Sequence, residues 1–122
     1  MDEVARRRLS SLLGLGVRGR LVVVGVENVR AAAQRNKLFY AVVAPDASHN
    51  SLDKVVPLLN ARRVRFVEVS GASELGAAVG RTSTAVVGIV DETLARGIRE
   101  LVEGAPTPRS DRGGTGTTRR KA

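Results

Sequence analysis

The sequence predicts an α/β protein, a three-layer α/β/α domain, and three observations point to it. Short β-rich apolar runs, such as Leu21–Val24, Leu38–Ala44 and Thr84–Val90, alternate along the chain with segments whose apolar residues fall at helical spacing. With 122 residues and 43% hydrophobic content, the chain suits one compact domain plus a tail. No internal repeat is visible.

The first helix is expected over Val4–Leu15, where Val4, Ala5, Leu9, Leu12 and Leu13 are interleaved with Arg6, Arg7 and Arg8, and Gly14 and Gly16 are expected to end it. After the short strand, Val26, Val29 and Ala33 make a stripe for a second helix running to Gln34, closed by Asn36 and Lys37. Pro45 and Asp46 stop the second strand. Ser48 to Asn50 offer caps for a third helix to Ala61, with Leu52, Val55, Val56 and Leu59 inward; Pro57 conflicts with it, implying a kink or a late, irregular start. Val64–Val69 alternates as a strand. Leu75, Ala78 and Val79 support a short helix from Ser70–Ser73 to Gly80, and the last helix runs from Asp91 or Thr93 to Gly104.

From Pro106 onward the residues are mostly Pro, Gly, Thr, Ser and Arg, so residues 1–104 are expected to form the domain and 105–122 a basic, disordered tail. Net charge is +8 and pI about 11.4. Arg109, Arg112, Arg119, Arg120 and Lys121 against Asp111 put +4 in the tail, which leaves +4 on the body. Polyanions are the natural partner class of such a body, against the alternative of a merely solubilising surface.

The absence of cysteine removes disulfides, thiol catalysis and thiolate metal sites, and one histidine, His49, cannot make a zinc site unaided; no metal and no cofactor are expected. No apolar run is long enough to span a membrane, and Asp2, Glu3 and three arginines before a Gly-broken stretch make a poor secretory signal, so the cytoplasm is the expected location; a monomer is expected. The aromatic rings are Phe39, Tyr40 and Phe66, all in strand-like segments and so mostly core. That composition disfavours a sheet that stacks single-stranded bases and favours recognition of a folded RNA by shape, backbone and a few base edges.

The stretch from Arg18 to Arg30 carries the chemistry. A buried strand turns through Gly25 into a helix whose first turn holds Glu27 and Asn28. Amides there have no intrahelical partner and the dipole is positive, so a phosphate can be accepted while a carboxylate and an amide address bases. Equally, Glu27 reads as ordinary complementation of the dipole, and Gly25 as a plain strand-to-helix turn. Arg18, Arg20, Arg35 and Lys37 can track phosphates or be solvated charge. The Gly80-Arg81-Thr82-Ser83 loop is either a second backbone contact or a simple helix-to-strand connection.

Gly14-Leu15-Gly16-Val17-Arg18-Gly19 matches the dinucleotide-binding glycine pattern but follows a helix and precedes a strand, the wrong context. Asp46, Ser48 and His49 lie too close in sequence for a hydrolytic trio and read as a turn and helix cap. The reading is therefore non-enzymatic.

Five segments in register carry a resemblance: LLGLG at Leu12–Gly16, GVENV at Gly25–Val29, AVVAPDAS at Ala41–Ser48, ELGAAVG at Glu74–Gly80 and AVVGIVDE at Ala85–Glu92. Over about Leu9–Val102 the chain resembles the kink-turn-binding ribosomal-protein superfamily of the L-seven-Ae and L-thirty-e type, most of all its bacterial YlxQ-like branch. The resemblance implies a sandwich with a mixed four-stranded sheet. It also implies binding to kink-turns, RNA bends built on tandem sheared G·A pairs beside a three-nucleotide bulge, possibly in rRNA. On that basis Gly25, Val26, Glu27 and Asn28 would meet the G·A pairs, and Gly80, Arg81, Thr82 and Ser83 would cover the flipped-out bulge base. Archaeal members have Asn then Glu where this chain has Glu27 then Asn28, and a basic residue is missing at Ala31; Arg30 lies one position away, about 100° round the helix. With Arg20 and Arg30 added, these are the candidate RNA-binding residues. Two alternatives remain open: a transcription or ribosome-maturation interaction module with unspecific RNA contact, and a small nucleotide-binding α/β enzyme.

Overall fold

The computed structural model describes residues 2–104; the expected tail lies outside the described residues. The elements are α1 (Glu3–Arg18), β1 (Val22–Val24), α2 (Val26–Gln34), β2 (Tyr40–Val43), α3 (His49–Ala61), β3 (Phe66–Glu68), α4 (Ala72–Ala78), β4 (Val86–Ile89) and α5 (Glu92–Glu103). They form an α/β fold with an open mixed sheet of order β1-β4-β2-β3. β4 is antiparallel to both β1 and β2, and β2 is parallel to β3. β1, β2 and β3 therefore all run the same way.

Both faces of the sheet are covered, which is why β2 and β4 are buried at every position. On one face Val29 of α2 and Val55 and Leu59 of α3 pack on Ala41, Val43 and Val86. On the other, Leu9 and Leu13 of α1, Leu75 of α4, and Ala95 and Ile98 of α5 pack on Tyr40, Val42, Val87 and Ile89. Alternation along each strand sends successive side chains to opposite layers.

Two local expectations are corrected. Gly14 and Gly16 do not end the first helix, which continues to Arg18. They are packing residues instead: a Cβ on Gly16 would stand 2.6 Å from Val22 Cγ1 and 2.9 Å from Leu94 Cδ2, and one on Gly14 would stand 3.3 Å from the Ala78 carbonyl oxygen. Of the two readings left open at Pro57, the late start is the one overturned: α3 is helical from His49 to Ala61, with Pro57 on its exposed side. Arg30 also reaches this helix, donating from Nη1 to the Lys54 carbonyl at 2.6 Å.

Three helices end in the same way. After α1, α2 and α3 the chain takes a left-handed residue, Arg20 (φ 60), Asn36 (φ 58) and Arg63 (φ 59). The next amide then reaches back five residues: Leu21 N–H to Gly16 O, Lys37 N–H to Ala32 O, and Val64 N–H to Leu59 O. These bonds satisfy terminal carbonyls and reverse the chain into the following strand.

Phe39 departs from the expectation for the aromatic residues: it is 49% exposed, whereas Tyr40 is fully buried. The Tyr40 hydroxyl donates to Glu103 Oε2 at 2.6 Å, and Arg65 holds the same carboxylate from Nε at 3.1 Å and Nη2 at 3.0 Å. This pins the end of α5 against the start of β2 and β3. Burial, then the Glu103 carboxylate, push the Tyr40 hydroxyl well above the usual phenol range. Ionising it would both desolvate a charge and set it against a carboxylate.

Since Tyr40 is the only tyrosine, this is directly measurable. The folded-state value is raised, so its stabilisation is fully present below about pH 10 and is lost as pH rises beyond it, where the unfolded chain releases the proton first. Phenolate absorbance should appear together with loss of helical circular dichroism, not before it. Tyr40→Phe should lose about 1.5 kcal/mol of stability at neutral pH in denaturant titration and remove this alkaline sensitivity.

Candidate nucleic-acid interface

The antiparallel placement of β4 brings the two candidate surfaces together. Val24, at the end of β1, pairs with Val87, near the start of β4, and the Gly25 amide donates to the Val86 carbonyl at 3.0 Å. The turn leading into α2 therefore lies beside the loop that delivers β4. Gly25, Val26, Glu27 and Asn28 are grouped with Gly80, Arg81, Thr82 and Ser83 at one end of the sheet.

Gly25 is the cap residue of α2 at φ 94 and ψ 160, a backbone region open essentially to glycine. A Cβ built there would have nothing within 4 Å, so the approach to the helix tip is open. No side chain among the described residues caps α2, in contrast to α3, where Ser48 Oγ accepts from the Ser51 amide at 3.1 Å. The free first-turn amides of α2 and its dipole thus face outward. Glu27 is exposed and has no ion-pair partner among the described residues. Asn28 is exposed but oriented, its Nδ2 donating to the Val24 carbonyl at 3.0 Å, which holds its amide in place and leaves Oδ1 as an acceptor.

The facing loop is built on α4. Gly80 takes φ 80 after that helix, and the Arg81 amide returns to the Gly76 carbonyl at 2.8 Å. The loop then lies directly on Gly76, where a Cβ would stand 2.4 Å from Ser83 Cα and 2.7 Å from Ser83 N. Thr84 locks its far end: its amide donates to the Ala72 carbonyl at 3.0 Å and its buried hydroxyl to the Val86 carbonyl at 3.3 Å. Arg81, Thr82 and Ser83 stay exposed on this anchored base.

The seven-residue helix α4 has no side-chain cap from its own N-cap residue, Gly71, and is held by neighbours. Asp46 Oδ1 accepts from the Ala72 amide at 2.8 Å. Arg6 of α1 grips Glu74 at 2.8 and 3.3 Å. Asp46 is a capping residue as its sequence context suggested, but for α4 rather than its own helix. Thr84 lies in a segment whose apolar pattern reads simply as a strand, and its only signal in sequence is a hydroxyl heading an otherwise apolar run.

Two candidates fall elsewhere. Arg20 sits in the turn before β1, at the opposite end of the sheet from Gly25, and does not join the cluster. Arg30 is on α2, but its guanidinium is engaged with the Lys54 carbonyl. Arg81 is thus the exposed arginine of the assembled surface.

The chain belongs to the ribosomal protein L7Ae/L30e/S12e/Gadd45 family, whose model matches residues 7–99. Among its relatives is the RNA-binding protein YlxQ of Enterococcus faecium, 32% identical over 104 residues that span 85% of this chain and all of that protein. A protein of unknown function from Bacillus halodurans C shares the fold at TM-score 0.72 and 26% identity, covering 79% of this chain and 97% of that one. The Giardia lamblia 15.5kD RNA binding protein shares it at TM-score 0.67 and 20% identity, over 86% and 90% of the two chains.

Gly76→Ala should push the loop off α4, costing about 1–3 kcal/mol in thermal or denaturant unfolding and shifting the amide resonances of Arg81–Thr84. Asp46→Ala should cost about 1 kcal/mol, and Asp46→Asn should restore most of it.

Proposed function

We propose that the chain is a non-enzymatic, cytoplasmic and monomeric RNA-binding protein that recognises a kink-turn or similarly bent RNA, in a ribosomal or ribosome-associated setting. The observation that carries this reading is the uncapped tip of α2, with Glu27 and Asn28 exposed beside the anchored Gly80–Ser83 loop. It is supported by the family membership and by the name of the Enterococcus relative.

The roles follow from the chemistry. The first-turn amides of α2 offer hydrogen bonds to phosphate oxygens at a positive dipole end, without any side-chain cation. Glu27, as a carboxylate, is acceptor-only and is repelled by phosphates unless it meets a donor. The amino and imino hydrogens of guanine are such donors, so a carboxylate at this point selects an exposed guanine edge. Asn28, tied to Val24 by its amide nitrogen, adds a fixed acceptor next to it. Across the gap, Arg81 and the hydroxyls of Thr82 and Ser83 are suited to a looped-out nucleotide and its backbone.

Gel shift against a kink-turn RNA and against the same RNA lacking its G·A pairs tests the reading. The native chain should discriminate well beyond a few-fold at moderate salt, and Glu27→Ala should cost about 1–3 kcal/mol and erode that discrimination. A native chain that binds both RNAs equally well refutes it.

A further inference from the structure

The charge of the folded body is not where the candidate recognition tip is. Because β1, β2 and β3 run in one direction, the turns that follow α1, α2 and α3 all lie at the end of the sheet remote from Gly25. Residues 18–21, 35–39 and 62–65 in these turns contain Arg18, Arg20, Arg35, Lys37, Arg62, Arg63 and Arg65 and no acid, while the β4–α5 turn, which reaches the same pole because β4 runs the other way, adds Asp91 and Glu92. At the tip, residues 25–28, 44–48, 69–71 and 79–85 carry Glu27, Asp46 and Arg81 as their charged residues. One pole is strongly basic and the other close to neutral.

The basic pole is one surface. Arg62 Nη1 donates to Asn36 Oδ1 at 3.2 Å, joining two of the turns. Arg20, Arg35, Lys37, Arg62 and Arg63 are exposed and have no ion-pair partner among the described residues; Arg65 is held by Glu103. Half-exposed Phe39 lies in the middle turn, bordering a shallow hollow with Arg96, Arg99 and Glu92 of α5, Glu92 being its single acid. An aromatic ring among arginines suits a nucleobase next to its phosphates.

Helix dipoles alone do not account for this. A cation near a helix C-terminus is favourable, but Arg20 and Arg63 occupy left-handed positions where glycine carries no steric cost. Both turns place an arginine where the backbone prefers none.

We infer that this pole is a second RNA-binding surface, one that grips the phosphate backbone of an RNA segment separate from the one met by the α2 tip. The inference rests on the chain being an RNA binder, not on which bend the tip recognises. α3 spans the two poles with 13 residues, or about 20 Å. That exceeds twice the screening length of about 8 Å at physiological salt. Cations at the pole cannot support RNA held only at the tip, so any effect they have on affinity reports contact at the pole itself.

The test compares the full chain with a variant carrying Arg20→Gly, Arg35→Gln, Lys37→Gln and Arg63→Gly. Two of these put glycine at left-handed positions, so the melting temperature should hold or rise. Binding to an uninterrupted RNA duplex is titrated across salt concentrations, alongside the kink-turn RNA. Duplex affinity of the variant should fall about ten-fold or more, and the salt slope should shrink by about three to four. Arg35→Gln with Lys37→Gln, which leaves the turn backbones untouched, should give about half that slope change. Duplex affinity and slope unchanged in both pole variants overturn the second surface. A Glu27→Ala chain with full kink-turn discrimination overturns the tip reading alone.

Discussion

The rest of the structure depends on the insertion of β4 between β1 and β2. Its antiparallel ladders to both neighbours force β1, β2 and β3 into a common direction. Every strand-to-helix turn that follows these three then gathers at one end, together with the loop entering β4. Every helix-to-strand turn that precedes them gathers at the other. The two ends differ in kind because helix N-termini present amide hydrogens and C-termini present carbonyls. For α2 and α3 this pairing puts the donor ends at one pole and the ends that favour cations at the other; α5, which follows the reversed β4, starts at the second pole.

At the donor pole, precision comes from backbone held by backbone. Gly25 binds the Val86 carbonyl, Arg81 the Gly76 carbonyl and Thr84 the Ala72 carbonyl. Asp46 and Arg6, from two other elements, steady the short α4 that supports the loop. Glu27 and Arg81 are left exposed on this frame, as the proposed recognition surface requires: the supporting groups are satisfied internally, and Glu27 and Arg81 have no ion-pair partner among the described residues. At the cation pole the three turns close by one repeated backbone pattern, and the side chains they carry are long, charged and solvent-facing.

Much of this was legible locally. The order of nine elements follows from alternating patterns of apolar residues, and α2 falls at Val26–Gln34 as its stripe indicates, because a glycine turn and a run of polar residues bound it. Glu27 and Asn28 in a first helical turn can be read directly. Gly14 and Gly16 misled, since glycine both ends helices and lets them touch; Val22 and Leu94, which require the contact, are distant in sequence. Phe39 sits in an apolar run, but its position at the sheet end exposes it.

What the sequence determined by itself was the succession of helices and strands, the local caps such as Ser48 on α3, and the residue types at each turn. These rest on interactions within a few residues, where spacing is enough. Only the tertiary structure decided that the Gly25 turn meets the Gly80–Ser83 loop, that Asp46 caps α4, and that Arg20 lies away from both. Strand order and direction set those proximities, and they arise from pairing across the whole chain, which no short window of residues contains.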